Sequence, residues 1–141
     1  MTYWLVPCNV SLYDPFGAFE NLPTIDWRQS RKMAVGDMAF IYCTKPYSKI
    51  MFLCEILLTD IEPKIADKSD LPFHKKNISE IGKPPRYGYF RVKKVAKFDT
   101  ESFGLEQLLK SGLKSAPQGP FRINGGLLQY LMGLSQKEQL P

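Results

Sequence analysis

Histidine is almost absent, with one residue, His74, in a chain of 141. A Ser-His-Asp or Cys-His arrangement needs an imidazole beside its nucleophile. The single candidate stands in a lysine-rich stretch, His74-Lys75-Lys76, so nucleophilic catalysis of that kind is not expected. Cysteine is scarce too: Cys8, Cys43 and Cys54 are odd in number and widely spaced, which argues against a disulfide framework and for reduced, buried thiols. Without a CxxC or HxxxH pair there is nothing to start a zinc site. The chain also lacks GxGxxG and GxxxxGK[ST] phosphate loops. No carboxylates gather on an apolar background, where a raised pKa or a catalytic metal would be built. No apolar stretch is long enough to span a bilayer, and the start MTYWLVPCN lacks a signal-like basic flank. These absences predict a cytoplasmic protein that is not an enzyme and needs no cofactor, metal or membrane.

The composition is that of an ordinary globular protein, 44% hydrophobic and 23% charged, and the length suits one core. Lysine and arginine exceed aspartate and glutamate by 19 to 14, with a sequence pI near 9.1, a balance that favours polyanionic partners.

The stretch Val35–Ile56 organises the chain. Gly36-Asp37 is a turn pair; Met38–Cys43 and Ile50–Leu57 are nearly free of charge and read as paired strands with at least one covered face. Their connection carries Lys45, Pro46, Tyr47, Ser48 and Lys49, which suits an anionic, planar partner and equally a plain solvated hairpin end. Upstream, Thr2–Pro7 reads as a first strand. Asp14-Pro15 forms a helix start with Asp14 as N-cap, so that Phe16–Asn21 is helical with Phe16 and Phe19 on its inner face. Pro23–Lys32 reads as irregular, with Trp27 as either a core plug or a pocket wall.

Downstream, Pro63–Tyr87 reads as a long connection with one turn of helix near Ser79–Ile81. Gly88–Phe98 reads as an edge strand with Arg91, Lys93, Lys94 and Lys97 on its surface, either a solvated face or a phosphate-binding one. Phe103–Leu113 predicts a helix stopped at Gly112, Ser115–Asn124 a turn-rich strap with a short strand at Phe121–Ile123, and Gly126–Leu134 a second helix. The order of elements predicts an α+β fold, a small partly closed barrel of mixed or mainly antiparallel strands with peripheral helices. A flat four-stranded sheet with helices on one face is the competing arrangement.

Trp4-Leu5-Val6, the tryptophan at 27 before a basic stretch, Val35-Gly36-Asp37, and Phe40-Ile41-Tyr42 with the returning apolar strand together resemble the EVE domain of the PUA-like superfamily. The resemblance is best over Tyr3–Ile56, fades by Phe98 and does not reach the C-terminal helices. It implies one domain over 1–141, with helices from about 100 to 141 packed on a barrel shared with YTH and ASCH domains. It also implies a nucleic-acid-binding role, in several members the reading of a modified base turned out into a pocket. On this chain the implied pocket takes Cys8, Asn9, Trp27, Arg28, Gln29, Ser30 and Tyr42. Many members carry a glycine soon after the tryptophan, where this chain has Arg28-Gln29-Ser30.

Tyr47 joins the expected pocket on its loop position. Arg28, Lys45, Lys49, Arg86 and Arg122 are the expected phosphate contacts. Stacking on an aromatic ring contributes on the order of 1–3 kcal/mol per base, while extracting a base from a duplex costs a few kcal/mol, so cations must supply much of the affinity. The expected function is therefore a nucleic-acid-binding module for RNA or modified DNA. Two alternatives stand beside it: a small-molecule or nucleotide sensor or enzyme using the same pocket, and an interaction domain whose helix Gly126–Leu134 docks on a protein partner or a second copy.

Overall fold

The computed structural model describes residues 1–75 and 85–138. Its centre is one six-stranded sheet, curled into a half-barrel, in the order β2-β5-β4-β3-β1-β6. The strands are β1 Tyr3–Cys8, β2 Ile25–Arg28, β3 Met38–Cys43, β4 Lys49–Ile61, β5 Tyr89–Lys97 and β6 Phe121–Ile123. β1 and β3 run parallel, and every other pairing is antiparallel. β4 is the longest strand, and its ladder with β5 shifts register at three places. Such irregularities add local twist and bend, which is how an open sheet curls.

Both faces of the sheet are covered. On one, Trp4, Val6, Ile41, Cys43 and Phe52 pack with the helix α1, Pro15–Asn21. On the other, Leu5, Phe40, Tyr42 and Ile50 pack with α2, Leu105–Lys110, and α3, Gly125–Ser135. Successive strand side chains point to opposite faces, so Ile41 and Tyr42 belong to different cores although both are buried. A sheet covered on both faces shows near-continuous apolar strands without alternation, which accounts for the charge-poor hairpin.

Local signals formed the elements they announced. Asp14 caps α1, its carboxylate accepting from Gly17 N at 3.1 Å, and Pro15 takes the first helical position. Phe16 and Phe19 both meet Phe52, at ring distances of 5.6 and 4.7 Å. Of the apolar residues of α3, Leu127 and Leu131 are buried in the second core, Leu128 and Leu134 are partly covered and Met132 is 40% exposed. Leu131→Asp would therefore damage the fold before it reported on any dimer.

Three readings are corrected. The Pro23–Lys32 stretch contains a strand, β2, which pairs with β5 from Ile25↔Val92 to Arg28↔Tyr89. β5 is consequently an interior strand, not an edge, and Arg91 lies directly opposite Asp26. Phe103–Leu113 divides into a turn of 3₁₀ helix, Glu101–Phe103, and α2. The long connection carries a 3₁₀ turn at Leu71–Phe73, and the expected turn near Ser79–Ile81 lies outside the described residues. Gly88, at φ +75°, immediately precedes β5 at a point where a Cβ would sit 2.2 Å from the Ile61 carbonyl oxygen, so only glycine fits the approach of β4 to β5.

Asp37 is more than a turn residue. Its carboxylate is buried and accepts from Thr2 N, Trp4 Nε1 and Ala34 N, each at 3.0 Å, tying the chain start to the hairpin. Burial alone would raise its pKa, but the bonds from Trp4, Thr2 and Ala34 together outweigh that and hold it below the ordinary aspartate value.

Candidate nucleic-acid interface

A cleft of about 390 Å³ opens on the α1 side of the sheet. The end of β1 supplies Val6, Pro7 and Cys8, and the chain leaving it adds Asn9, Leu12 and Tyr13. β2 contributes Asp26, Trp27 and Arg28, followed by Ser30, while Tyr89 and Phe90 enter from β5. Asp67, Lys68, Asp70 and His74 come from the long connection, and Gln118–Pro120 of the strap close the rim.

Trp27 is half-buried and borders this space. Its indole meets Tyr13, Phe19 and Phe90 edge-on, with ring centroids 5.8, 5.5 and 6.3 Å apart. These contacts hold the ring in place, so Trp27 packs against the core on one side and borders the cleft on the other. Asn9 closes a turn through its side-chain oxygen, which accepts from Ser11 N and Ser11 Oγ, leaving its amide NH₂ as a donor.

The opposite wall is polar and tightly tied. The Asp26 side chain is fully buried and accepts from Arg91 Nε at 2.8 Å, Arg91 Nη2 at 3.1 Å and Asp67 N at 2.7 Å. Hydrogen bonding to Asp26 raises the Arg91 pKa. The Tyr13 hydroxyl donates to Asp70 Oδ2 at 2.7 Å, and His74 Nε2 lies 3.5 Å from the same oxygen with its ring 4.8 Å from that of Tyr13. Burial pushes the Tyr13 phenol far above its ordinary pKa, the Trp27 indole opposes this, and Asp70 adds to it. Tyr13 is therefore a neutral donor at any physiological pH. Cys8 is no nucleophile: burial first, then Asp14, pushes its thiol up to about 12. Cys43 and Cys54 are raised by burial as well. All three thiols are free, and among the described residues no group of His, Cys, Asp and Glu is placed to hold a metal ion.

Of the residues expected from sequence, Cys8, Asn9, Trp27, Arg28 and Ser30 meet at this cleft. Gln29 does not line it. That side chain is wholly buried, donating to the Arg31 carbonyl at 3.0 Å and accepting from Asp60 N at 2.8 Å, a strut between β2 and the end of β4. Tyr42 packs in the other core because it is one residue out of phase with Ile41 and Cys43. Tyr47 and Lys45 line a neighbouring concavity. Lys49 is held by Asp99 at 2.7 Å and Glu101 at 3.1 Å, and those two bonds raise its pKa. Arg122 stacks over the Trp4 ring at 5.6 Å beside the strap. Arg86 lies over Tyr87 at 5.3 Å, next to the bridge from Tyr87 N to the Gln29 carbonyl. Tyr13, Asp70 and His74 were not expected in the site. Asp70 and His74 are four residues apart, but the contacts that bring them to Tyr13 span 57 and 61 positions, and nothing in the local sequence signals those.

Comparison with protein-family models finds no match, and comparison with curated proteins finds no relative. Solved structures do match. A protein of Pseudomonas syringae superposes with a TM-score of 0.63 at 17% identity, covering 94% of this chain and 99% of that one. A hypothetical protein from Leishmania major gives 0.60 at 19%, covering 97% and 96%. A mutant form of an ASCH protein from Zymomonas mobilis gives 0.61 at 10%, covering 96% and 99%. The chain has the ASCH/PUA-like fold, an α+β half-barrel with three α-helices among the described residues. Among the described residues no helix is long and apolar enough to cross a membrane.

Proposed function

We propose that the chain is a non-catalytic nucleic-acid-binding module that holds one base, turned out of its stack, in the Trp27 cleft. The proposal extends to the EVE-like reading of a modified base. The observation that carries it is the half-buried indole at the wall of an open cleft, with Tyr13 and Phe90 behind it and hydrogen-bonding groups around it. The volume is within the roughly 300–1,000 Å³ of small-ligand sites, enough for a base and too small for a duplex. Asn9, Ser30 and Asp67 offer donors and acceptors to the base edge, and Arg28 and Lys68 stand at the mouth to meet phosphate.

A screen of modified and unmodified RNA and DNA oligonucleotides at two salt concentrations tests this. Trp27→Leu keeps apolar bulk against Phe19 and Phe90 while removing the π-face. It is expected to weaken binding about tenfold, the effect of one lost base stack, with affinity falling steeply with salt in both proteins. Equal binding by wild type and Trp27→Leu would sink the base-pocket reading. The sensor alternative predicts instead that free nucleotides raise the melting temperature as much as oligonucleotides do.

A further inference from the structure

A second concavity, of about 300 Å³, adjoins the cleft, and Tyr13 lines both. Its walls come from the β3–β4 loop, with Lys45 and Tyr47, from the start of α1, with Phe16, and from Lys75 at the far side. Tyr47 is 40% exposed, yet its ring is anchored. It lies 4.8 Å from the Phe16 ring, which in turn lies 5.6 Å from Phe52 in the core. A phenol ring backed in this way is a pre-positioned stacking platform, with little side-chain freedom left to lose on binding.

The charge beside it is positive. Lys75 Nζ donates to the Val10 carbonyl at 2.6 Å, which holds the ammonium at the edge of the concavity with two further N–H donors to offer. Lys45 is exposed on the loop. Among the described residues the lining has one carboxylate, Asp14, and that group already accepts from Gly17 N. An aromatic platform flanked by two ammonium groups is the combination that binds a nucleotide of a single strand without reading its sequence.

We propose that this concavity is the subsite for the nucleotide next to the one in the cleft. The neighbouring base stacks on Tyr47, and the phosphate between the two nucleotides lies against Lys75 and Lys45. The inference rests on the base-binding reading of the Trp27 cleft, and it specifies the ligand class as a single strand of at least two nucleotides rather than a free nucleotide.

The probes are nucleoside monophosphates and the corresponding single-stranded dinucleotides, RNA and DNA, titrated against the full chain. Wild type is expected to bind dinucleotides about tenfold more tightly than monophosphates. Tyr47→Ala should remove that gain and leave monophosphate affinity unchanged, whereas Trp27→Leu should weaken both. Lys45→Gln, which leaves both rings in place, should lower the slope of log affinity against log salt for dinucleotides by about one. If monophosphates bind in a Trp27-dependent way but Tyr47→Ala and Lys45→Gln bind dinucleotides like wild type, the second subsite is overturned and the cleft reading stands. If neither probe nor any longer oligonucleotide binds wild type, the cleft reading itself is overturned and the subsite goes with it.

Discussion

Replacing Asp26 by alanine is expected to lower the unfolding free energy by about 4 kcal/mol, because it removes the buried half of an ion pair and leaves its partly buried partner and a backbone N–H without their acceptor. The Asp26 side chain is fully buried and the Arg91 side chain 29% exposed. Removing the carboxylate strips two N–H groups of Arg91 and the backbone N–H of Asp67 of their acceptor at once. At this chain length the change corresponds to a fall in melting temperature of roughly 12 °C, measurable by calorimetry or urea titration. The loss also reaches the cleft. Asp67 N→Asp26 is one of the bonds that hold the segment bearing Asp67, Asp70 and His74 in place, beside Tyr13 to Asp70, so base binding should weaken with stability. Arg91→Met should be about as costly, since it strands the carboxylate. The double variant Asp26→Leu/Arg91→Met should lose clearly less than the two single changes added together, because neither charge then remains. Full additivity in that cycle would show that the pair is not coupled and that the argument for Asp26 is wrong.

The second large effect concerns Asp37. Asp37→Ala is expected to cost about 3 kcal/mol, through the loss of three hydrogen bonds to a charged acceptor and a buried indole N–H left without a partner. Asp37→Asn keeps the shape but has one oxygen for two acceptor positions, and should cost about 2 kcal/mol. The effect carries a pH signature. The folded-state pKa of Asp37 is depressed below the unfolded value near 4. Its stabilisation is therefore fully present above about pH 4 and is lost as pH falls through the folded pKa. Wild type should lose stability over that acid range more than Asp37→Asn does, and the gap between the two should narrow as pH drops. Asp67, also depressed, chiefly by its bonds from Ser69, adds little because it is exposed and screened by solvent. A gap that stays constant from neutral pH to the acid limit would contradict the role given to the Asp37 carboxylate.

Both aspartates show where reading from sequence stopped. Asp14 was legible as a helix cap because its partner, Gly17 N, lies three residues away and the following proline fixes the geometry. Asp37, beside a glycine at a strand start, had every local mark of a turn residue. Its importance comes from Thr2 and Trp4, brought beside it by the parallel pairing of β1 with β3. Asp26 sat in a four-residue strand that contains a residue type depleted in strands. That strand exists because β5 offers it a ladder and an arginine in register.

The site divides along the same line. Cys8, Asn9, Trp27, Arg28 and Ser30 were reachable from the family resemblance, and all of them border one cleft. Tyr42 was placed on the wrong side of the sheet for a definite reason. In strands buried on both faces the apolar pattern has no alternation, so nothing in MAFIYC says which residues look toward α1. Lys49 looked like a free cation on a loop, and only the approach of Asp99 and Glu101 committed it.

By itself the sequence determined the features set by neighbours within a few positions: the α1 cap, the charge-poor β3–β4 hairpin, the short strand at Phe121–Ile123 and the C-terminal helix. Dihedral preferences, capping and hydrophobic period act over that range and need no partner. Tertiary structure decided which face each strand residue took, which carboxylates met which cations, and that Tyr13, Asp70 and His74 would stand beside Trp27. Those outcomes depend on register between distant strands, and register is settled by the whole core closing at once.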